Sequence, residues 1–355
     1  MRADSIKIVG TGLIGTSLGL ALARQGVTAE LADASKANLR LAIEYGAGRE
    51  SSEEPQLVIV CVPPDLTAEV VAQELRKHPG AIVSDTASVK SEIYSRVLDL
   101  APEHAGRYVG SHPMAGREKS GPGSARADLF FARPWVITPT TDSSSDAIDL
   151  LKDVALRIGA LPISMSPKQH DEAVALVSHL PQLVSSALAA RLIDGQASQL
   201  DLTGQGLRDT TRIAASDPTL WVQILSQNAS EVTPLISALR LELQELEEAL
   251  AGLDQPGALA KVHSLLERGN TGISRIPGKH GGKFVDYQQL TIVIDDSPGS
   301  LASLLAFIGD IGVNIEDLKL EHSPGAPIGL VEIQVDPASV ELLAKQLVDN
   351  GWRIV

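Results

Sequence analysis

Three glycines, Gly10, Gly12 and Gly15, follow the apolar run Ile6-Lys-Ile-Val9 and open a helical pattern that begins near Leu13. No other feature narrows the possible folds as much. In a strand-turn-helix unit the first glycine of this spacing permits a tight turn and the second lets a pyrophosphate approach the backbone. The third lets helix and strand pack closely. The helix N-terminus then offers N–H groups and partial positive charge to phosphates. Asp33 ends the second apolar run, 18 positions after Gly15 (33 − 15). A carboxylate there accepts hydrogen bonds from ribose hydroxyls and repels a 2′-phosphate, which favours NAD over NADP. An ordinary strand-to-helix turn explains the glycines alone; strand, helix and acid in register point to a dinucleotide. Leu13 and Ile14 inside the turn, and Val62 at the end of the third apolar run, join the glycines and Asp33 as candidate cofactor contacts.

A chain of 355 residues is too long for one ordinary domain. Residues 1–165 alternate short apolar runs with helical spacing, which predicts an α/β Rossmann-type domain whose parallel sheet is covered by helices. The candidate strands are Ile6–Val9, Ala29–Ala32, Leu57–Val62, Ala81–Ser84, Tyr108–Gly110 and Trp135–Thr138. Residues 166–267 lack β-branched alternation and read as an all-α domain, clearest over Asp171–Ile193 and Asp217–Leu250. Residues 268–286 are rich in glycine, carry Arg268, Arg275, Lys279 and Lys283, and read as a linker. Residues 287–355 run strand, helix, strand, strand, helix, strand, a small α+β unit of ferredoxin-like order.

A net charge of −14 argues against a nucleic-acid binder, which would need a basic patch, and disfavours an anionic membrane surface. No segment reads as long and apolar enough to span a bilayer. The N-terminus enters a strand and turn directly, without the pattern of a secretory leader. The single cysteine, Cys61, excludes an internal disulfide, and its place in Leu57-Val-Ile-Val-Cys-Val62 suits a buried structural thiol. A cytoplasmic protein is expected.

Chemistry concentrates in three further segments. Ser84-Asp-Thr-Ala-Ser-Val-Lys90 and Gly110-Ser-His-Pro-Met-Ala-Gly116 each follow a candidate strand, at the sheet edge where α/β folds bind ligands. Ser88 and His112 can therefore meet near a nicotinamide. An imidazole suits hydride removal from an alcohol, because the hydroxyl proton must leave as the hydride does. A serine can hold imidazole and hydroxyl in line. A lone histidine is more often structural; its place at a strand end, before a proline and a glycine, favours function. In the helical region Arg208, Arg212 and Ser216 recur at i, i+4 and i+8, which predicts one helix face. Asp217-Pro218 then reads as the start of the next helix. A guanidinium there suits a substrate carboxylate, although an ion pair with Asp209 explains the pattern as well. His179-Leu-Pro181-Gln182 lies in a helical run, where Pro181 deprives the Val177 carbonyl of its partner and predicts a kink. Such a kink serves a site or merely packing.

Taken together, Gly10 to Gly15, Ser88-Val-Lys90, the run His112-Pro-Met-Ala-Gly-Arg-Glu-Lys-Ser-Gly121, Ser178-His-Leu-Pro181, and Thr211 to Pro218 with Trp221 resemble the prephenate/arogenate dehydrogenase family. The resemblance covers nearly the whole chain. It implies NAD-dependent oxidative decarboxylation of prephenate on the route to tyrosine. It implies His112 as the group that accepts or holds the hydroxyl proton and Ser88 as the residue that orients it. Arg212 is then the carboxylate-binding residue, His179 a pocket residue, and Ser216 and Trp221 supporting residues. It also implies a homodimer through the helical domain. No metal is called for.

Many prephenate-specific members carry histidine where this chain has Gln182, a position that reads the substrate side chain. Gln182 both donates and accepts, so arogenate remains the alternative substrate. The last segment resembles an ACT domain, with Asp296-Ser-Pro298-Gly299 before a helix and Val313-Asn314-Ile315 before a strand. It implies feedback by tyrosine at Asp296, Pro298, Gly299, Asn314 and Ile315, or else a module that only supports dimerisation. Two other readings compete. A different small-carboxylate dehydrogenase would more often use a lysine from the helical domain. A non-catalytic NAD sensor would need neither Ser88 nor His112.

Overall fold

Apolar runs that pair and amphipathic helices that cover them organise the N-terminal half. The structure, a computed structural model, describes residues 4–51, 53–117, 119–277, 287–322 and 328–355. It falls into two units, residues 1–243 and residues 244–355.

The first unit begins with β1 (Ile6–Val9), α1 (Leu13–Arg24), β2 (Glu30–Ala32), α2 (Lys36–Glu44), β3 (Leu57–Val60) and α3 (Pro64–Lys77). It continues through β4 (Ile82–Asp85), α4 (Ser91–Leu100), β5 (Tyr108–Pro113), β6 (Pro134–Thr138), α5 (Ser145–Arg157) and β7 (Leu161–Ser164). The strands form one sheet in the order β2-β1-β3-β4-β5-β6-β7. The order turns back at β1, which creates the crevice where such sheets bind ligands. All four residues of β3 are buried, as a sheet covered on both faces requires. Leu57 and Ile59 join one apolar core with Leu22 and Trp135, while Val58 and Val60 join another with Leu75 and Ile93.

The sheet is not parallel throughout, contrary to expectation. β5 and β6 pair antiparallel, from Gly110 opposite Thr138 to Pro113 opposite Trp135. The connection between them is made of turns and a short 3-10 segment, Pro122–Ser124. Among its described residues there is no crossover helix of the kind a parallel pairing needs. β5 also extends to Pro113, so His112 lies within the strand rather than beyond it. β7 escapes the sequence pattern because it is a largely exposed edge carrying Pro162, a place where proline is tolerated.

The helical region comprises α6 (Pro167–Val174), α7 (Leu180–Arg191), α8 (Ala197–Leu200), α9 (Gln205–Thr211), α10 (Pro218–Gln227), α11 (Ala229–Ala251) and α12 (Ala258–Ser274). A capping box starts α6, with Ser166 and Gln169 bonding reciprocally. The distortion expected from Pro181 takes the form of one π turn, Ala175–His179, joining α6 to α7. A π turn absorbs the missing i to i−4 bond without ending the helix.

Two expectations are corrected here. The run Pro167–Asp194 is 28 residues long and holds an 18-residue window with a mean hydropathy of 1.5, so one helix does reach the length and apolarity of a bilayer span. The run nevertheless carries polar side chains that the fold buries, among them His170, Asp171, His179 and Gln182. The linker expected from residue 268 also begins later, since α12 continues through Arg268, Gly269 and Gly272 to Ser274. Isolated glycines cost helix stability without ending a helix. Residues 278–286, including Lys279 and Lys283, lie outside the described residues.

The second unit ends in β8 (Gln288–Asp295), α13 (Ser300–Asp310), β9 (Asp317–His322), β10 (Ile328–Val335), α14 (Val340–Asp349) and β11 (Arg353–Ile354). The four strands lie in the antiparallel order β11-β8-β10-β9, the ferredoxin-like arrangement expected. β10 alternates buried and half-buried residues along its length, and Val331 and Ile333 meet Leu304, Ile308, Leu343 and Leu347 in its core.

Candidate active site

The glycine turn is shaped by close approach. Gly10 has φ +97°, and a Cβ there would lie 2.4 Å from the Cys61 carbonyl oxygen and 3.1 Å from Val62 Cγ1. A Cβ on Gly15 would lie 1.9 Å from the Gly10 oxygen, whereas Gly12 faces open space. Two glycines therefore serve packing, and the third leaves room for a ligand at the start of α1. Burial pushes the neighbouring Cys61 thiol up to about 12, so it stays protonated and unreactive. Asp33 ties the turn together: its Oδ2 accepts from Thr11 N (2.6 Å) and Thr11 Oγ1 (2.8 Å), and its Oδ1 from Ser35 N (2.6 Å). A carboxylate has about four acceptor sites, so capacity remains for a ribose hydroxyl. The donors and the vacant space at Gly12 suit NAD.

His112, half-buried on β5, is held by a residue the sequence pattern did not single out. Its Nδ1 lies 2.8 Å from His170 Nε2, and the rings meet edge to face. His170 Nδ1 lies 2.8 Å from Asp171 Oδ1. Asp171 also accepts from the backbone N–H of Lys90 (2.9 Å) and Ser91 (2.7 Å), so it caps α4 from another helix. Burial lowers the pKa of His112 well below the usual imidazole range, and His170, Lys90 and His179 add to this by charge. Burial likewise lowers His170, against the opposing pull of its bond to Asp171. Burial raises Asp171, but its bonds from His170 and Ser91 outweigh this and hold it lowered.

Ser88 sits in the loop after β4, half-buried. Its hydroxyl has no hydrogen bond among the described residues; the expected grip on His112 is made by His170 instead. The loop itself is fixed. Lys90 Nζ donates to the Asp85 carboxylate and to the Ser111 carbonyl (2.7 Å). Asp85 also accepts from Tyr108 Oη (2.8 Å) and Ala87 N (2.8 Å). Ser88 and His112 therefore project from segments joined by one buried network.

The helical residues form a second cluster. Asn228 Nδ2 donates to the Asp171 carbonyl (3.0 Å) and lies 3.1 Å from His179 Nδ1. The carbonyl can only accept, which fixes the amide orientation. His179 Nδ1 must then accept, leaving its proton on Nε2. Burial lowers His179 to about 4, so near neutrality it is an uncharged N–H donor. Trp221 meets its ring edge to face at 5.8 Å. Gln182, buried on α7, donates to Ser186 Oγ (3.2 Å), and its Oε1 faces Ser216 Oγ at 3.4 Å.

The single face expected for Arg208, Arg212 and Ser216 is not found. α9 ends at Thr211, Arg212–Ala215 is a 3-10 turn, and Ser216 is extended. Asp217 caps α10 through Thr219 N (2.9 Å), as expected; the residue before a proline disfavours helix, so α10 starts anew at Pro218. Arg212 is exposed on its turn. Asp209 accepts from Gln205 (2.9 Å).

In the second unit Pro298 and Gly299 line a hollow with Asp295, Ser300, Trp352 and Arg353. Gly299 adopts φ +93° to start α13. Asn314 instead donates to Glu316 (2.6 Å), and Ile315 packs on the core. Asp296 is exposed.

Residues 18–163 match the family model described as prephenate dehydrogenase, nucleotide-binding domain, and residues 166–264 match prephenate dehydrogenase, dimerization domain. The chain is 34% identical to a probable prephenate dehydrogenase, NovF, of Streptomyces niveus, over 97% of this chain and 98% of that protein. It resembles the crystal structure of Aquifex aeolicus prephenate dehydrogenase in complex with hydroxyphenyl propionate and NAD+ (TM-score 0.66, 27% identity, 77% of this chain and 99% of that one). It also resembles Synechocystis arogenate dehydrogenase (TM-score 0.62, 28% identity, 77% and 99%).

Proposed function

The chain belongs to the prephenate dehydrogenase family, and from that premise we propose that His112 removes the hydroxyl proton while prephenate is oxidised and decarboxylated to 4-hydroxyphenylpyruvate. The enzyme is an NAD-dependent dehydrogenase. The observation that carries the reading is the His112 imidazole near the C-terminal end of β5, bonded through Nδ1 to His170 and kept uncharged by burial. Bound NAD would supply the hydride acceptor for the carbinol carbon, and the ring carboxylate would leave as carbon dioxide as the ring aromatises. His112 Nε2 takes the hydroxyl proton and can return it to the phenolate oxygen, so no net proton is consumed. Ser88 orients the substrate hydroxyl. Arg212 binds a substrate carboxylate, His179 donates its N–H within the pocket, and Ser216 and Trp221 support Gln182 and His179.

Gln182 is neutral, so arogenate, which would give tyrosine directly, is the second substrate to test. The exposed apolar residues Leu176, Val177, Leu188 and Ile193 on the helical run, in a region whose family model is described as a dimerization domain, support a homodimer. A cytoplasmic location fits this activity. We further assign the C-terminal unit as an ACT domain that senses tyrosine at the hollow beside Gly299.

One assay tests these assignments. NAD or NADP is supplied with prephenate or arogenate in all four combinations, and reduced-nicotinamide absorbance is followed. The expected result is a signal with NAD and prephenate, suppressed by tyrosine in the wild type but not in Gly299→Trp. No signal in any combination rejects the substrate assignment. Equal suppression in both proteins, or none in either, rejects sensing at this loop.

A further inference from the structure

We propose that His170 and Asp171 are positioning residues that fix which nitrogen of His112 carries the proton, so that Nε2 is always the free base. The proposal rests on His112 being the proton acceptor. It follows from counting donors along one chain of hydrogen bonds.

Asp171 is acceptor-only. Oδ1 receives the N–H of Lys90 and Oδ2 that of Ser91. His170 Nδ1, 2.8 Å from Oδ1, must therefore donate. Burial favours the neutral ring, so His170 Nε2 holds a lone pair and accepts. His112 Nδ1, 2.8 Å away, must then carry its proton, and Nε2 is left with the lone pair. The opposite tautomer of His112 would set two lone pairs against each other at a partly buried contact. Backbone amides at the start of α4 thus determine the basic atom on β5, by way of a helix that reaches the site from the second cluster.

The same chain assists the reaction. When Nε2 takes the substrate proton, His112 becomes an imidazolium whose Nδ1–H already faces His170. Asp171 stands behind it as the compensating negative charge. Lys90 opposes this charge from the β4 loop, but Lys90 is itself paired with Asp85. The arrangement follows the logic by which a carboxylate orients and supports a histidine base in hydrolases, with a second imidazole inserted between them.

The test compares His170→Leu, which removes the acceptor, with His170→Gln, whose Oε1 can accept from His112 Nδ1. Leucine is expected to lower kcat by about 10²-fold or more with KM and NAD affinity unchanged, and glutamine to recover at least part of that loss. A leucine variant with wild-type kcat overturns the proposal. So does a folded glutamine variant as slow as the leucine one. Ring ¹⁵N chemical shifts of the unmodified enzyme provide a second reading that needs no variant to fold. Protons on Nδ1 of both His112 and His170 are expected, and a proton on His112 Nε2 overturns the proposal. Failure of the underlying assignment looks different: His112→Asn would then retain turnover, whatever the His170 variants do.

Discussion

Replacing His112 with asparagine should lower kcat by about 10²–10⁴-fold while leaving NAD affinity unchanged. The amide can keep a hydrogen bond to His170 Nε2, so the local structure has little reason to collapse. It cannot take up a proton at neutral pH, so the hydroxyl would have to lose its proton to water as the hydride departs. The glycine turn and Asp33 do not touch His112 and should bind the dinucleotide as before. Initial rates and equilibrium titration with NAD check the two halves of this expectation. Near-normal turnover would remove His112 from the chemistry.

Lys90→Ala should be the most damaging single change to the fold of the first unit. Lys90 and Asp85 are both fully buried, and the lysine is the only cation bonded to that carboxylate among the described residues. Removing it leaves Asp85 with Tyr108 and one amide but no compensating charge. Breaking a buried pair in this way costs about 3–5 kcal/mol, which lowers the thermal midpoint by roughly 6–20 °C for a unit of this size. The Ser111 carbonyl also loses its donor beside His112, so activity should fall with stability. Changing both partners, Lys90→Met with Asp85→Asn, should recover most of the loss, because no charge is then stranded. Calorimetry of the single and double variants checks this. A single variant as stable as the wild type would mean that the pair is not charged in the folded protein.

What the sequence could reveal follows the range of the physics. Gly10, Gly12, Gly15 and Asp33 were legible because the turn, the helix start and the acid obey local rules of spacing. Each strand whose residues alternate or run apolar was legible for the same reason. β7 was not, since its Leu161 and Ile163 face outward at the sheet edge. Pro181 announced a distortion, although only packing could choose a π turn over a bend. The restart at Asp217-Pro218 was legible, but the end of α9 at Thr211 was hidden by a tidy four-residue repeat. The chief omission was His170-Asp171. The pair lies at the start of an ordinary amphipathic helix, and its meaning depends on His112, 58 positions earlier, and on two amides of a third segment. No local pattern encodes that meeting. The nearest signal was the adjacency of a histidine and an aspartate near the start of that amphipathic helix.

The most direct test of a neutral His112 base is the pH dependence of kcat/KM, which reports ionisations of the free enzyme. The base works only when unprotonated. Burial lowers its pKa, and the neighbouring His170, Lys90 and His179 lower it further. Activity should therefore persist as the pH falls through the ordinary imidazole value of 6.5, with the acid limb below it. An acid limb at or above that value, or the same limb surviving in His112→Asn, would contradict the account.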